Sequence, residues 1–321
     1  MKVFVTRKIP KSGLSLLEKH FQLKVSKKDR VLTKEEIIKQ AQDAEGLLCL
    51  LTDTIDEEVL SSLPHLKMIA NYAVGFNNVD VSYATKKKIP VSNTPDVLTD
   101  TTAELAWALV FAVARRIVEG DSFCRNGKFS GWAPMLLLGQ DVSKKTLGII
   151  GAGRIGTAMA LKSKGFNMDI LYVNHQKNEQ LETELHAKKT SLSDLLKRSD
   201  IVSLHVPLTD ETKYMISEDE LKEMKESAIL INTSRGPVVD ENGLLKALKK
   251  DWIFGAGLDV YEHEPQIPDE LLQLDNVVLL PHIGSATKET RSNMAVMAAE
   301  NLIAGLNGKH PPNCVNPEVF S

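Results

Sequence analysis

The stretch "LGIIGAGRIG" (147–156) decides the reading of the chain. An apolar strand-like run leads directly into Gly151, Gly153 and Gly156, spaced G-x-G-x-x-G, where a helical pattern begins. In such a turn the first glycine permits the bend and the second lets backbone approach a pyrophosphate. The third lets the helix pack against the strand, and the helix N-terminus offers its amides to the anion. Three glycines alone are weak evidence, and a turn chosen only for tight packing would account for them. Strand, turn, helix and a following strand in register point instead to a bound dinucleotide.

The following strand, "DILYV" (169–173), runs into "NHQKN". Asn174 stands 18 residues past Gly156 (174 − 156), close to where an acid would grip the ribose hydroxyls of NAD and repel the 2′-phosphate of NADP. Asn174 can donate to phosphate oxygens, and His175 and Lys177 add positive charge beside it. The pattern favours NADP, with NAD possible; a solvated loop indifferent to the two is the bland alternative.

Outward from this unit, short apolar runs alternate with helical stretches, an α/β pattern of parallel sheets covered by helices. Strands are expected at 3–6, 23–25, 46–50 and 67–72, then at 146–150, 169–173, 200–204, 228–232, 254–260 and 276–280. Thr33 and Glu36 have capping-box spacing. Residues 91–100 read as a connector and 101–120 as one long helix, apolar on more than one face and so suited to burial between domains or subunits. A last helix, about Lys288 to Leu306, is expected to return to the first domain. The predicted division is 1–98 with 287–321, and 99–286.

Composition narrows the class. Of 321 residues 43% are apolar and 25% charged, with a net charge of −3, which gives no reason to expect nucleic acid or an anionic membrane as partner. The opening "MKVFVTRKIP" is too short and charged for a signal peptide, and no apolar run reaches transmembrane length. Cys49, Cys124 and Cys314 are scattered, as expected of reduced thiols in a cytoplasm, and no spacing suggests a metal site.

Polar residues gather at consecutive strand ends. Thr233, Ser234 and Arg235 follow "AILIN", Asp259 ends "FGAGLDV" with Glu264 in the loop beyond, and His282 lies two residues past Leu280. Ligands of open parallel sheets bind beyond the carboxyl ends of the strands. There a His could protonate an alkoxide left by hydride transfer, a carboxylate beside it would favour imidazolium, and an Arg could hold a substrate carboxylate or polarise a carbonyl. Singly each has a bland reading as surface charge, turn or helix-end residue; together they point to catalysis. His205 also ends a strand, but Val206 and Pro207 after it suggest a wall for the cofactor.

These stretches resemble the successive motifs of the D-isomer-specific 2-hydroxyacid dehydrogenases: "LGIIGAGRIG", "HVPLTDET", "ILINTSRGPVVDENGLLKAL", "GAGLDVYEHEP" and "LLPHIGSAT". "NYAVGFNNVD" (71–80) further resembles the glyoxylate and hydroxypyruvate reductase branch. The resemblance implies two doubly wound, Rossmann-like domains, the discontinuous one flavodoxin-like and substrate-binding, with the active site in the cleft between them. It implies Arg235 as substrate anchor, His282 as acid/base and Glu264 as its partner, with Asp259 helping to hold the nicotinamide end. Residues 153–156 (Arg154 and Ile155 included), 174–176 (Gln176 included), 233–235 and 282–284 (Gly284 included) would line the cofactor. Val206, Pro207 and Thr212 would join them, and Thr102 would approach the nicotinamide. The backbone at Val74 and Gly75 would receive the substrate carboxylate, and Leu51 would contribute to the pocket wall. A homodimer and a small 2-oxo acid substrate are implied. Alternatives are a 2-ketogluconate reductase and a dinucleotide-sensing protein without turnover; formate dehydrogenase, a relative, resembles this site but carries Gln where Glu264 stands, which speaks against it.

Overall fold

The computed structural model describes Met1–Ser321. The chain forms two compact units, Met1–Leu98 with Ser285–Ser321, and Thr99–Gly284.

In the first unit β1 (Lys2–Val5), β2 (Gln22–Val25), β3 (Gly46–Leu50), β4 (Met68–Tyr72) and β5 (Val91–Ser92) form a parallel sheet ordered β2-β1-β3-β4-β5. This is the flavodoxin-like order. β3 and β4 are covered on both faces, which explains their near-continuous apolar sequences. The Lys288–Leu306 helix packs on β3, β4 and the Lys11–Glu18 helix, so the end of the chain returns to this unit. Thr33 and Glu36 form the expected capping box.

In the second unit β6 (Thr146–Ile150), β7 (Asp169–Val173), β8 (Lys188–Lys189), β9 (Ile201–Leu204), β10 (Ile229–Asn232), β11 (Gly255–Leu258) and β12 (Val277–Leu279) are also all parallel. Their order is β12-β11-β10-β9-β6-β7-β8. The chain starts in the middle at β6, builds outward to β8, then returns to β9 on the other side. The switch between β6 and β9 is where doubly wound sheets leave a crevice for a dinucleotide. Apolar layers cover both faces of this sheet.

Three expectations about the elements need correction. The helix expected over 101–120 is two helices, Thr99–Ala114 and Ile117–Arg125, with Arg116 left-handed between them at φ 50°. The Gln140 amide takes the Ala114 carbonyl at 2.8 Å, where helix continuation would need it. The first of these helices is apolar on several faces because it lies within the second unit, between β10–β12 and the Arg154–Leu161 helix. Residues 91–100 are less of a connector than expected, since they hold β5 and the start of that helix. The third is β8, an edge strand of two exposed lysines with no apolar pattern to announce it. No helix is long and apolar enough to cross a membrane.

Candidate active site

The glycine turn has the shape its spacing requires. Gly151 has φ +94°, and a Cβ there would meet the His205 carbonyl at 2.8 Å. A Cβ at Gly156 would lie 2.1 Å from the Gly151 oxygen. At Gly153 the same atom would meet nothing within 4 Å, so backbone is open to a ligand at this one point of the turn. Gly153 is also the N-cap of the Arg154–Leu161 helix, and no side chain caps it. The first turn of this helix, with the amides of Ile155 and Gly156, is therefore presented to an anion.

Asn178 ties the glycine turn to the tip of β7. Its side chain accepts from the Leu181 amide and donates to Ala152 O at 2.9 Å and Thr157 Oγ1 at 2.7 Å. The loop in between is exposed. Asn174 donates to Gln176 O, His175 Nε2 stands 4.0 Å from Glu211, and Lys177 lies 3.9 Å from Glu182. Lys189 on β8 donates to His175 O at 2.7 Å, placing another cation on this loop. Neither Asn178 nor Lys189 stood out in the sequence. Asn178 could have been found as the N-cap three residues before Leu181; Lys189 required knowledge of the edge strand.

Across the switch point, His205 is paired with Ser203 Oγ at 2.9 Å, and burial pulls its pKa down to about 3, so it is neutral. The Thr212 hydroxyl is bound to Pro207 O at 2.6 Å and accepts from the Thr209 amide, so it fixes the loop carrying Val206 and Pro207. At the end of β10, Asn232 takes the Ser234 amide and hydroxyl and donates to Arg235 O. The buried Thr233 hydroxyl has no hydrogen-bond partner. An orphaned buried hydroxyl at this strand end, an open glycine and an uncapped helix together fit a dinucleotide.

Arg235, Glu264, Asp259 and His282 lie together beyond the carboxyl ends of the neighbouring strands β10, β11 and β12. Gly236 makes the approach possible, since a Cβ there would lie 1.9 Å from the Tyr261 carbonyl carbon. The loop behind Arg235 thus touches backbone of the loop that leads to Glu264. Burial lowers the Arg235 pKa and nearby Glu264 opposes that effect. Glu264 accepts from the Tyr261 amide at 3.1 Å with one oxygen and pairs with His282 Nδ1 at 2.8 Å with the other. Burial pushes its carboxyl up, but the His282 bond and charge, the Tyr261 amide and Arg235 outweigh it, leaving the pKa below the usual value.

His282 has left-handed backbone, φ 56°, and Asp259 holds it there. The two Asp259 oxygens each accept one amide, from Ile283 and Gly284, at 2.7 Å. Burial raises the Asp259 pKa against those amides and the His282 charge. The Thr102 side chain packs beside Gly284, its Oγ1 3.5 Å from where a Cβ would sit. Leu51, Val74 and Gly75 belong to the other unit, Leu51 just after β3 and the other two in the loop after β4.

The comparisons agree with this geometry. The sequence pattern described as "D-isomer specific 2-hydroxyacid dehydrogenase, NAD binding domain" matches residues 107–284. A glyoxylate reductase of Korarchaeum cryptofilum is 55% identical over 99% of this chain and 96% of its own. A crystal structure of a Thermus thermophilus protein superposes with a TM-score of 0.93 at 44% identity, covering 98% of this chain and all of that one (100%). The NADPH-dependent glyoxylate/hydroxypyruvate reductase of Sinorhizobium meliloti, solved in complex with NADP and malonate, superposes with a TM-score of 0.85 at 31% identity over 98% of this chain and 96% of its own. A nicotinamide dinucleotide is therefore the cofactor to which the switch-point crevice is fitted, and the chain belongs to the D-isomer-specific 2-hydroxyacid dehydrogenase family.

Proposed function

We propose that the protein reduces a small 2-oxo acid, glyoxylate to glycolate and hydroxypyruvate to D-glycerate, with NADPH preferred over NADH. The observation that carries the reading is the 2.8 Å pairing of His282 Nδ1 with Glu264 beside the half-buried Arg235. The dinucleotide supplies the hydride when bound. Glu264 keeps Nδ1 engaged, which leaves Nε2 of His282 to deliver a proton to the alkoxide that forms. Arg235 polarises the carbonyl oxygen and anchors the substrate with its planar fork. Backbone at Val74 and Gly75 receives the substrate carboxylate and Leu51 helps wall the pocket. This gives the unit built from both chain ends the substrate-binding role and 99–286 the dinucleotide.

NADPH preference rests on Asn174 where an acid would exclude it, with Lys189 tied to the adjoining loop. A homodimer is supported by the segment 117–138, where Trp132 is 85% and Met135 76% exposed beside exposed Ile117, Val118, Phe129 and Leu138. Three unpaired cysteines suit a reducing, cytoplasmic setting. Steady-state reduction of glyoxylate and hydroxypyruvate with NADPH and NADH in parallel tests the reading. Turnover with higher kcat/KM for NADPH is expected; an NADH preference overturns the cofactor choice, and no turnover of any 2-oxo acid overturns the activity.

A further inference from the structure

The loop after β4 has three successive carbonyls fixed from inside. The Thr94 amide donates to Ala73 O at 2.8 Å, Asn93 Nδ2 to Val74 O at 2.7 Å, and Asn71 Nδ2 to Gly75 O at 2.9 Å. In a trans peptide the carbonyl and the following N–H point in opposite directions. Fixing the carbonyls of Ala73, Val74 and Gly75 therefore aims the amides of Val74, Gly75 and Phe76 away from the interior. None of these three amides donates to a protein acceptor. Val74 and Gly75 are half-buried and Phe76 is exposed, so the unspent donors face outward. Consecutive free amides make a concavity suited to an anion.

The fixing residues are themselves held. Asn71 is fully buried, and its amide nitrogen also reaches Asn78 Oδ1 at 3.1 Å. Asn78 Nδ2 in turn donates to Leu50 O at 3.0 Å and Asp53 O at 3.1 Å, the two residues flanking the turn that carries Leu51. Asn93 is anchored through its backbone: its amide donates to Asn313 O at 3.2 Å, and buried Asn301 binds the Asn313 amide and side chain.

We propose that Asn71 and Asn93 are positioning residues for substrate, holding the Val74–Gly75–Phe76 amides toward the carboxylate of the 2-oxo acid, with Asn78 fixing the neighbouring Leu51 turn to the same network. The inference rests on the proposed 2-oxo acid reductase activity. A purely structural role for these asparagines would lower melting temperature without selectivity among ligands. Positioning acts on the acid alone.

The test is kinetics of Asn93→Ala, at a half-buried site, and Asn71→Asp, which sets a carboxylate oxygen against Gly75 O. The expected result is a KM for glyoxylate raised about tenfold in Asn93→Ala, more in Asn71→Asp, as one or more aligned amides are lost. The kcat stays within about threefold, the Ki of the competing dicarboxylate oxalate rises in step with KM, and the Kd for NADPH, read by fluorescence, is unchanged. Should Asn71→Asp fail to fold, Asn93→Ala decides alone. An unchanged KM in folded Asn93→Ala, or a KM and NADPH Kd rising together, overturns the proposal while the reductase reading stands. Wild-type protein inert toward every 2-oxo acid overturns the reading and this inference with it.

Discussion

Asp259 holds the amide of Gly284 at 2.7 Å, and with its other oxygen the amide of Ile283 at the same distance. The side chain expected to help hold the nicotinamide end spends both oxygens on the loop that presents His282. Asn in its place keeps one acceptor and turns an NH2 toward the second amide. The loop then loses one charge-assisted bond and gains an unsatisfied donor, about 1–3 kcal/mol. Asp259→Asn is expected to lower kcat for 2-oxo acid reduction about 10–100-fold, checked by single-turnover kinetics at saturating dinucleotide.

Glu264 supplies a pH signature. Its folded carboxyl titrates below the usual value, so it contributes stability that is present above the unfolded pKa of about 4.3 and is lost as pH falls through the lower, folded value. The stability gap between wild type and Glu264→Gln is therefore expected to close as pH falls below the unfolded value. Urea unfolding from pH 7 down to pH 3.5 measures it. In activity, Glu264→Gln is expected to cost about 10–100-fold in kcat, since a neutral amide supports the charged ring less well.

His205 is expected to be silent in every pH profile. With its pKa near 3 the ring stays neutral throughout the working range. Its ring proton resonances should not move between pH 5 and 9 in a titration followed by NMR, whereas His282→Gln should reduce turnover by at least 100-fold.

Asn174→Asp tests the cofactor choice. A carboxylate about 5 Å from a 2′-phosphate repels it by about 3 kcal/mol at an effective dielectric of about 20. The ratio of kcat/KM for NADPH over NADH is expected to fall about 100-fold, with most of the change in KM for NADPH.

Trp132→Glu with Met135→Glu is expected to halve the mass seen by sedimentation equilibrium at micromolar protein. Two charges on so exposed an apolar segment oppose its burial against a second copy.

Strand and site were legible to different degrees for physical reasons. β3, β4, β6, β7, β9 and β10 are covered on both faces and so wrote themselves as apolar runs. β5 and β8 have two residues each, too few for any period to show. The break at Arg116 was hidden because its cause is distant: Gln140 takes the Ala114 carbonyl, and Arg115 and Arg116 are good helix formers. Arg235, Glu264 and His282 could be read because chemistry needs rare residue types at strand ends. The supports were harder. Asn71, Asn93, Asn178 and Lys189 act through contacts made only after folding, and each looks ordinary beside its neighbours in sequence.

The contact at Gly236 makes this catalytic group vulnerable where no catalytic atom lies. A single methyl added there would be driven into the Tyr261 carbonyl, 1.9 Å away, and would act as a wedge between the strand end bearing Arg235 and the turn bearing Glu264. In an unbiased mutational screen this position should be as intolerant as His282, even though a hydrogen atom is all it presents.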